Sequence, residues 1–288
     1  AKLPGFYVPS LYRVSYQEDG TVAAITPEEG VPAVVTKRLV KEMDKSYYPV
    51  KTIVPSTEVT HDRVMLELFR GCIRGCRFCQ AGFVYRPVRN RSHELLACKD
   101  SGYQEMTLMS LSSSDYPDLL PLCDGLLEWC QPNKVNLSLP SLRADNFSMN
   151  LMEKLQAGGR KSGLTFAPEA GSQRLRDAIN KNVTEEDLLN SCRTAFAGGW
   201  SSVKLYFMLG LPTETDEDVL GIADLATKVY HVWRNNTPNR SRGVRITVST
   251  SCFVPKSHTP FQWEAQNTQE EYLRHVTLLP ENMSNKSI

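Results

Sequence analysis

Phe69-Arg70-Gly71-Cys72-Ile73-Arg74-Gly75-Cys76-Arg77-Phe78-Cys79-Gln80 is the stretch from which the rest of the chain is read. Three thiols at spacing C-x3-C-x2-C, in a loop rich in Gly and Arg that follows the apolar run Val64 to Phe69, can converge on one metal centre. A closed structural zinc site takes four protein ligands, and an electron-transfer iron–sulfur cluster takes four cysteines. Three thiolates leave one iron of a four-iron cluster open to a small molecule. Arg70, Arg74 and Arg77 favour thiolate over thiol, the form that metal binding requires. The plain alternative is three buried thiols, since free cysteine is among the most buried residue types.

The chain of 288 residues, 41% hydrophobic and 9% aromatic, is long enough for a sizeable core in one large domain or two small ones. Its 33 basic and 32 acidic residues leave a net charge of +1, so no global field signals nucleic acid. No apolar run approaches the roughly 20 residues of a membrane span, and no signal peptide opens the chain. The expectation is a soluble cytoplasmic protein. Eight cysteines in this length are too few for a disulfide scaffold. Ala1 in place of an initiator Met, and the polar turn from Pro280 to Ile288, make both ends look cut or processed.

Residues 1 to 58 read as a connector. Tyr12 to Tyr16 and Thr21 to Ile25 flank the turn signal Asp19-Gly20, and Thr36 to Met43 reads as a short helix with Leu39, Val40 and Met43 on one face. From residue 59 to 265, strand patterns alternate with helical ones, the mark of parallel βα units. The expected strands are Val64 to Phe69, Glu105 to Ser110, Lys134 to Leu139, Gly163 to Ala167, Ser202 to Leu209 and Val244 to Ser249. Six such strands predict an α/β fold of the open (β/α)6 partial-barrel type. Thr184 to Asp187 and Thr215 to Asp218 resemble capping boxes with Asp as the third residue, and they put acids at the positive end of the helix dipole. The apolar stripe from Leu119 to Cys130 makes Cys123 and Cys130 core residues, and Cys98, Cys192 and Cys252 are read the same way. Residues 266 to 288 read as a tail. Only Ser92 to Ser101 remain for the first barrel helix, about 15 Å of it.

The cysteine spacing, with Phe78 just before the last thiol, resembles the signature of the radical S-adenosylmethionine (radical SAM) superfamily. That resemblance implies a [4Fe-4S] cluster on Cys72, Cys76 and Cys79, with SAM chelating the open iron and reductive cleavage giving a 5′-deoxyadenosyl radical that abstracts hydrogen from an unknown substrate. It implies that Phe78 shields the cluster beside the adenine, and that Ser112 and Ser113, in the serine run after the second strand, accept the SAM ammonium. A helix N-cap at Asp115 is the plain reading of that run. Arg143 would take the SAM carboxylate and Glu169, in Ala167-Pro168-Glu169-Ala170-Gly171-Ser172, the ribose. Leu211, in the Gly-x-Pro-x-Glu-Thr turn 210 to 215, would lie near the adenine; the loop Phe253 to Phe261 closes the mouth after the sixth strand, and His258 in it would approach substrate, the plain reading being an uninvolved loop histidine. A flavodoxin- or ferredoxin-like protein would donate the electron.

The wording of 70 to 82, Tyr85 to Arg89, Ser110 to Tyr116, Leu164 to Gly171 and Lys204 to Thr215 is similar to an uncharacterised subgroup whose full-length members carry an amino-terminal cobalamin-binding domain. No Asp-x-His-x-x-Gly pattern occurs here, so cobalamin would enter only through a domain absent from this chain. Relatives carry more residues in the first helix, and Pro where Ser257 stands. A methylthiotransferase would need three further cysteines upstream, and none precedes Cys72. Two other readings stay open: a zinc-binding or regulatory module with His93 as a fourth ligand, and a catalytically inactive fragment.

Overall fold

The computed structural model describes residues 3–49, 51–92, 100–140, 142–146, 163–281, 283 and 288. The chain divides into two compact units, Ala1–Ser46 and Tyr47–Ile288. The stretch from Tyr47 to Glu58, read as connector, therefore lies in the second unit.

In the first unit β1 (Tyr12–Tyr16) and β2 (Val22–Pro27) form an antiparallel hairpin. The Asp19-Gly20 turn closes it: Gly20 takes φ +83°, and the Asp19 carboxylate accepts from both the backbone and the hydroxyl of Thr21. Thr36 to Met43 is not helical; a single 3-10 turn at Met43–Lys45 is all that forms. Of its apolar residues only Met43 is buried, while Leu39 and Val40 are exposed. A helix this short does not persist in water without a face to bury.

The second unit carries all six expected strands. β3 (Val64–Glu67), β6 (Glu105–Met109) and β7 (Asn136–Ser138) form one parallel sheet in the order β3-β6-β7. β8 (Leu164–Glu169), β9 (Ser202–Leu209) and β10 (Arg245–Cys252) form a second, also parallel, with β9 in the centre. Among the described residues no ladder joins β7 to β8, so the barrel is open and split into halves. Successive strands are neighbours within each half, as βα units require.

The first expected strand breaks at Leu68, because β4 (Phe69–Arg70) leaves the parallel sheet to pair antiparallel with β5 (Arg89–Asn90). The strand read over Lys134 to Leu139 shrinks to three residues, since Lys134 takes φ +55° and the Val135 N–H caps the preceding helix at Cys130 O.

Helices cover one face of each sheet. α1 (Leu119–Cys130) buries Leu119, Leu122, Cys123, Leu126 and Cys130 against β3 and β6. Asp115 is not its cap: Ser113–Asp115 is a separate 3-10 turn, and the helix begins after Asp118. α2 (Gln173–Ala178), α3 (Glu185–Ala197) and α4 (Asp216–Asn236) follow β8 and β9. The Thr184–Asp187 box is reciprocal, and at Thr215 the Asp218 carboxylate accepts from the Thr215 N–H at 2.8 Å.

Val203, Leu205, Phe207 and Leu209 of β9 pack under α3 and α4 with Leu188, Cys192, Phe196, Val219, Ile222 and Val229. Cys123, Cys130 and Cys192 are core residues as read, whereas Cys252 is only half-buried. Its thiol lies at the carboxyl end of the edge strand β10, where Gln266 Nε2 reaches it at 3.6 Å. The expected tail contains α5 (Gln269–Glu281), which seats Leu279 in the core under β9 and β10. Cys98, His93 and most of the short first helix lie outside the described residues. No described helix is long and apolar enough to cross a membrane.

Candidate cluster and cofactor site

The cysteine loop is the excursion between β4 and β5, at the carboxyl end of β3. Gly71 opens it at φ +93°, and a Cβ there would lie 2.6 Å from Tyr85 O. Arg86 then ties the loop down: its guanidinium donates to Cys72 O at 3.3 Å, Ile73 O at 2.7 Å and Arg74 O at 3.3 Å. One planar side chain thus satisfies three consecutive carbonyls of a segment that has no ladder partner.

The other half of the barrel holds the loop from its far side. Arg77 N–H donates to Ile179 O, Asn180 Nδ2 donates to Gly75 O at 2.8 Å, and Gln80 Nε2 donates to Ser257 O at 3.0 Å. Arg86 and Asn180 are supports of the loop that sequence reading missed. Only the tertiary fold shows which carbonyls they meet.

Cys72 and Cys76 are buried, and Cys79 is half-buried. Burial pushes the Cys76 thiol up, and Cys79 and Cys72 add to this, while the charges of Lys181 and Arg143 pull it down. Cys76 therefore lies within electrostatic reach of the other two thiols and of two cations. Among the described residues no three His, Cys, Asp or Glu side chains are close enough to hold a single metal ion. The donor chemistry fits a cluster: three thiols on one stapled loop, with cations at hand to offset thiolate charge.

The remaining predicted residues sort into two groups. Phe78 and Leu211 come together in one apolar cluster with Ala170, Leu175, Ile179, Phe253 and Phe261, directly beside the loop. The polar residues form a charge network along the mouth. Ser112 Oγ donates to Asp115 at 2.7 Å, and Ser113 Oγ lies 2.9 Å from Ser110 Oγ; both serines are buried. Asp115 also accepts from Arg74 Nε at 3.0 Å. Burial would raise the Asp115 carboxyl, but the Arg74 and Ser112 bonds and the charges of Arg74 and Arg143 hold it below its usual value.

Arg143 grips Asp145 with two bonds, 2.8 and 3.1 Å, and donates to Lys181 O at 3.1 Å; Asp145 in turn lies 3.4 Å from Arg74. Glu169 takes φ +71° at a register shift at the end of β8, and its carboxylate meets Lys181 Nζ at 3.0 Å. Gly171 follows because α4 leaves no room for a Cβ, which would stand 2.3 Å from Asp218 O. His258 is an exposed loop residue whose backbone N–H donates to Gln262.

Beyond the predicted set, Glu214 is buried in the turn after β9. Its carboxylate accepts from Gly210 N–H at 2.6 Å and lies 3.2 Å from His275 Nδ1 on α5. Burial pushes Glu214 up to about 7, with the charges of Asp218 and Asp216 adding to the effect and the Gly210 and Leu211 N–H groups opposing it.

Comparison with known proteins identifies this arrangement. The model of the radical SAM superfamily matches residues 66–226, more than half of the chain. The chain belongs to that superfamily. It is 35% identical over 261 residues to the uncharacterized protein MJ0966 of Methanocaldococcus jannaschii, covering 85% of this chain and 55% of that one. It is 26% identical over 171 residues to a protein of the same organism provisionally named methylthiotransferase MJ0865, covering 54% of this chain and 37% of that one. The chain thus spans about half or less of the length of these relatives. Among solved structures, the radical S-adenosylmethionine methyltransferase TsrM from Kitasatospora setae, with tryptophan and a SAM analogue bound, shares the fold at TM-score 0.54 and 16% identity, over 70% of this chain and 38% of its own. Members of that superfamily use a [4Fe-4S] cluster and SAM.

Proposed function

We propose that this chain binds a [4Fe-4S] cluster through Cys72, Cys76 and Cys79 and reductively cleaves SAM to start hydrogen abstraction from a substrate held in the open barrel. When bound, cluster and SAM supply an electron and a 5′-deoxyadenosyl radical, and the protein supplies position and protection. Arg86 and Asn180 hold the cysteine loop between the two half-barrels. Phe78 and Leu211 offer an apolar wall to the adenine. Arg143 and Lys181, now occupied by Asp145 and Glu169, are the groups that can exchange internal carboxylates for that of SAM, while Ser112 and Ser113 face its ammonium. Glu169 is suited to the ribose hydroxyls. The electron comes from a small flavodoxin- or ferredoxin-like donor in a reducing cytoplasmic setting. Any cobalamin would be carried by a domain outside this chain.

The observation that carries the reading is the loop itself: three thiols, two of them buried, held from both halves of a radical SAM fold. The test is anaerobic reconstitution with iron and sulfide, followed by EPR of the reduced protein with and without SAM, beside Cys76→Ala. A four-iron signal that SAM perturbs, absent from the variant, is expected. Stoichiometric zinc without a cluster would overturn the proposal.

A further inference from the structure

The face of the second half-barrel that turns away from the helices carries a cation, Lys204, with no carboxylate partner among the described residues. Along β9, Val203, Leu205, Phe207 and Leu209 lie under α3 and α4, so Lys204, Tyr206 and Met208 point to the opposite side. The parallel register sets Thr247 and Ser249 of β10 beside Lys204 and Tyr206, and Thr165 of β8 beside Lys204. Lys204 Nζ stands 4.6 Å from the centre of the Tyr206 ring. Among the described residues it meets no carboxylate: Glu169, at the end of β8, is taken by Lys181. Tyr206 remains 39% exposed although it lies on the central strand of its sheet.

The same row leads to the cofactor mouth. Met208 packs against the cluster that holds Phe78 and Leu211. At about 3.3 Å per residue, Tyr206 lies ~7 Å and Lys204 ~13 Å further along the strand. An ammonium seated over an aromatic ring has N–H donors to spare. Beside it stand the hydroxyls of Thr165, Thr247 and Ser249, which can donate as well as accept. This is a wall for a polar, negatively charged group, placed one small molecule's length from the site of radical formation.

We infer that this face is the substrate wall and that Lys204, held over Tyr206, binds an anionic group, a carboxylate or a phosphate, of a small polar substrate. The inference rests on the proposal that the mouth above holds cluster and SAM. The experiment is trace acetylation of lysines in the anaerobically reconstituted full chain, read residue by residue by mass spectrometry. It is run in inorganic phosphate, in succinate, and in chloride at matched ionic strength. Slowing of Lys204 acetylation by about tenfold in phosphate or succinate, with exposed Lys134 and Lys256 unaffected, supports the assignment, and whichever anion protects better separates phosphate from carboxylate. Equal rates at Lys204 in all three solutions overturn it, as does slowing shared equally by Lys134 and Lys256. The EPR spectrum of the same samples is scored separately. A missing four-iron signal counts against the cluster, whereas an intact signal with an unprotected Lys204 counts against the lysine alone.

Discussion

Glu214 is pulled in opposite directions. Its Gly210 hydrogen bond helps shape the turn that carries Leu211, yet burial and the nearby charges of Asp216 and Asp218 raise its carboxyl from 4.5 to about 7. The folded chain therefore binds a proton on Glu214 more tightly than the unfolded chain does. Stability contributed by the protonated carboxyl is fully present below about pH 4.5 and is lost as pH rises to about 7. At roughly 1.4 kcal/mol per pH unit the loss is at most about 3.5 kcal/mol. Glu214→Gln keeps an acceptor for Gly210 and removes the charge. The variant should match the wild type near pH 4.5 and become progressively more stable than it up to pH 7, in urea denaturation followed across that range. A difference that does not vary with pH would show that Glu214 is not held protonated. Burial pushes the core thiol of Cys192 up to about 12 with no charge opposing it, whereas the rise that burial causes at Cys76 is partly offset by the charges of Lys181 and Arg143.

At the scale of elements, α3 shows how local its punctuation is. Thr184 Oγ1 accepts from Asp187 N–H at 3.1 Å, and Asp187 Oδ2 accepts from Thr184 N–H at 2.9 Å. Both partners lie within four residues, so the helix start was legible in the sequence, as were the alternating strands β9 and β10. Thr184→Ala should cost about 1 kcal/mol of unfolding free energy, and Thr184→Ser should restore most of it; equal stability of all three proteins would mean that the box adds nothing. What was not legible depends on distant partners. α5 was read as tail because its polar sequence hides one anchoring stripe, through which Leu279 reaches the core and His275 reaches Glu214. Thr36 to Met43 shows the opposite case, since its apolar spacing suits a helix but Met43 alone of that face is buried, while Leu39 and Val40 are exposed. Ser112, Ser113, Arg143 and Glu169 are candidates by their position after their strands, whereas their internal partners Asp115, Ser110, Asp145 and Lys181 become visible only once the chain is folded.

Across the whole second unit, the two half-barrels have separate cores. One lies under β8, β9 and β10 and includes Phe166, Phe196 and Phe207; the other lies between β3, β6 and α1. No described ladder joins them, so the cysteine loop, rooted in the first half through β4 and β5 and bonded to the second through Ile179, Asn180 and Ser257, is a main tie across the split. A cluster bound to that loop would fix three of its residues at once, and ligand binding to the folded state lowers the population of open forms. The smaller half, whose strands feed directly into the loop, should gain most. Hydrogen exchange read by mass spectrometry, comparing reconstituted and cluster-free protein, should show slower exchange in Val64–Glu67 and Glu105–Met109 as well as in residues 70–88, with little change in the already buried strand Ser202–Leu209. Protection confined to residues 70–88 would mean that the loop binds its cluster without tying the halves together, and the halves would then be held by other bonds across the split, such as that from Arg143 to Lys181 O.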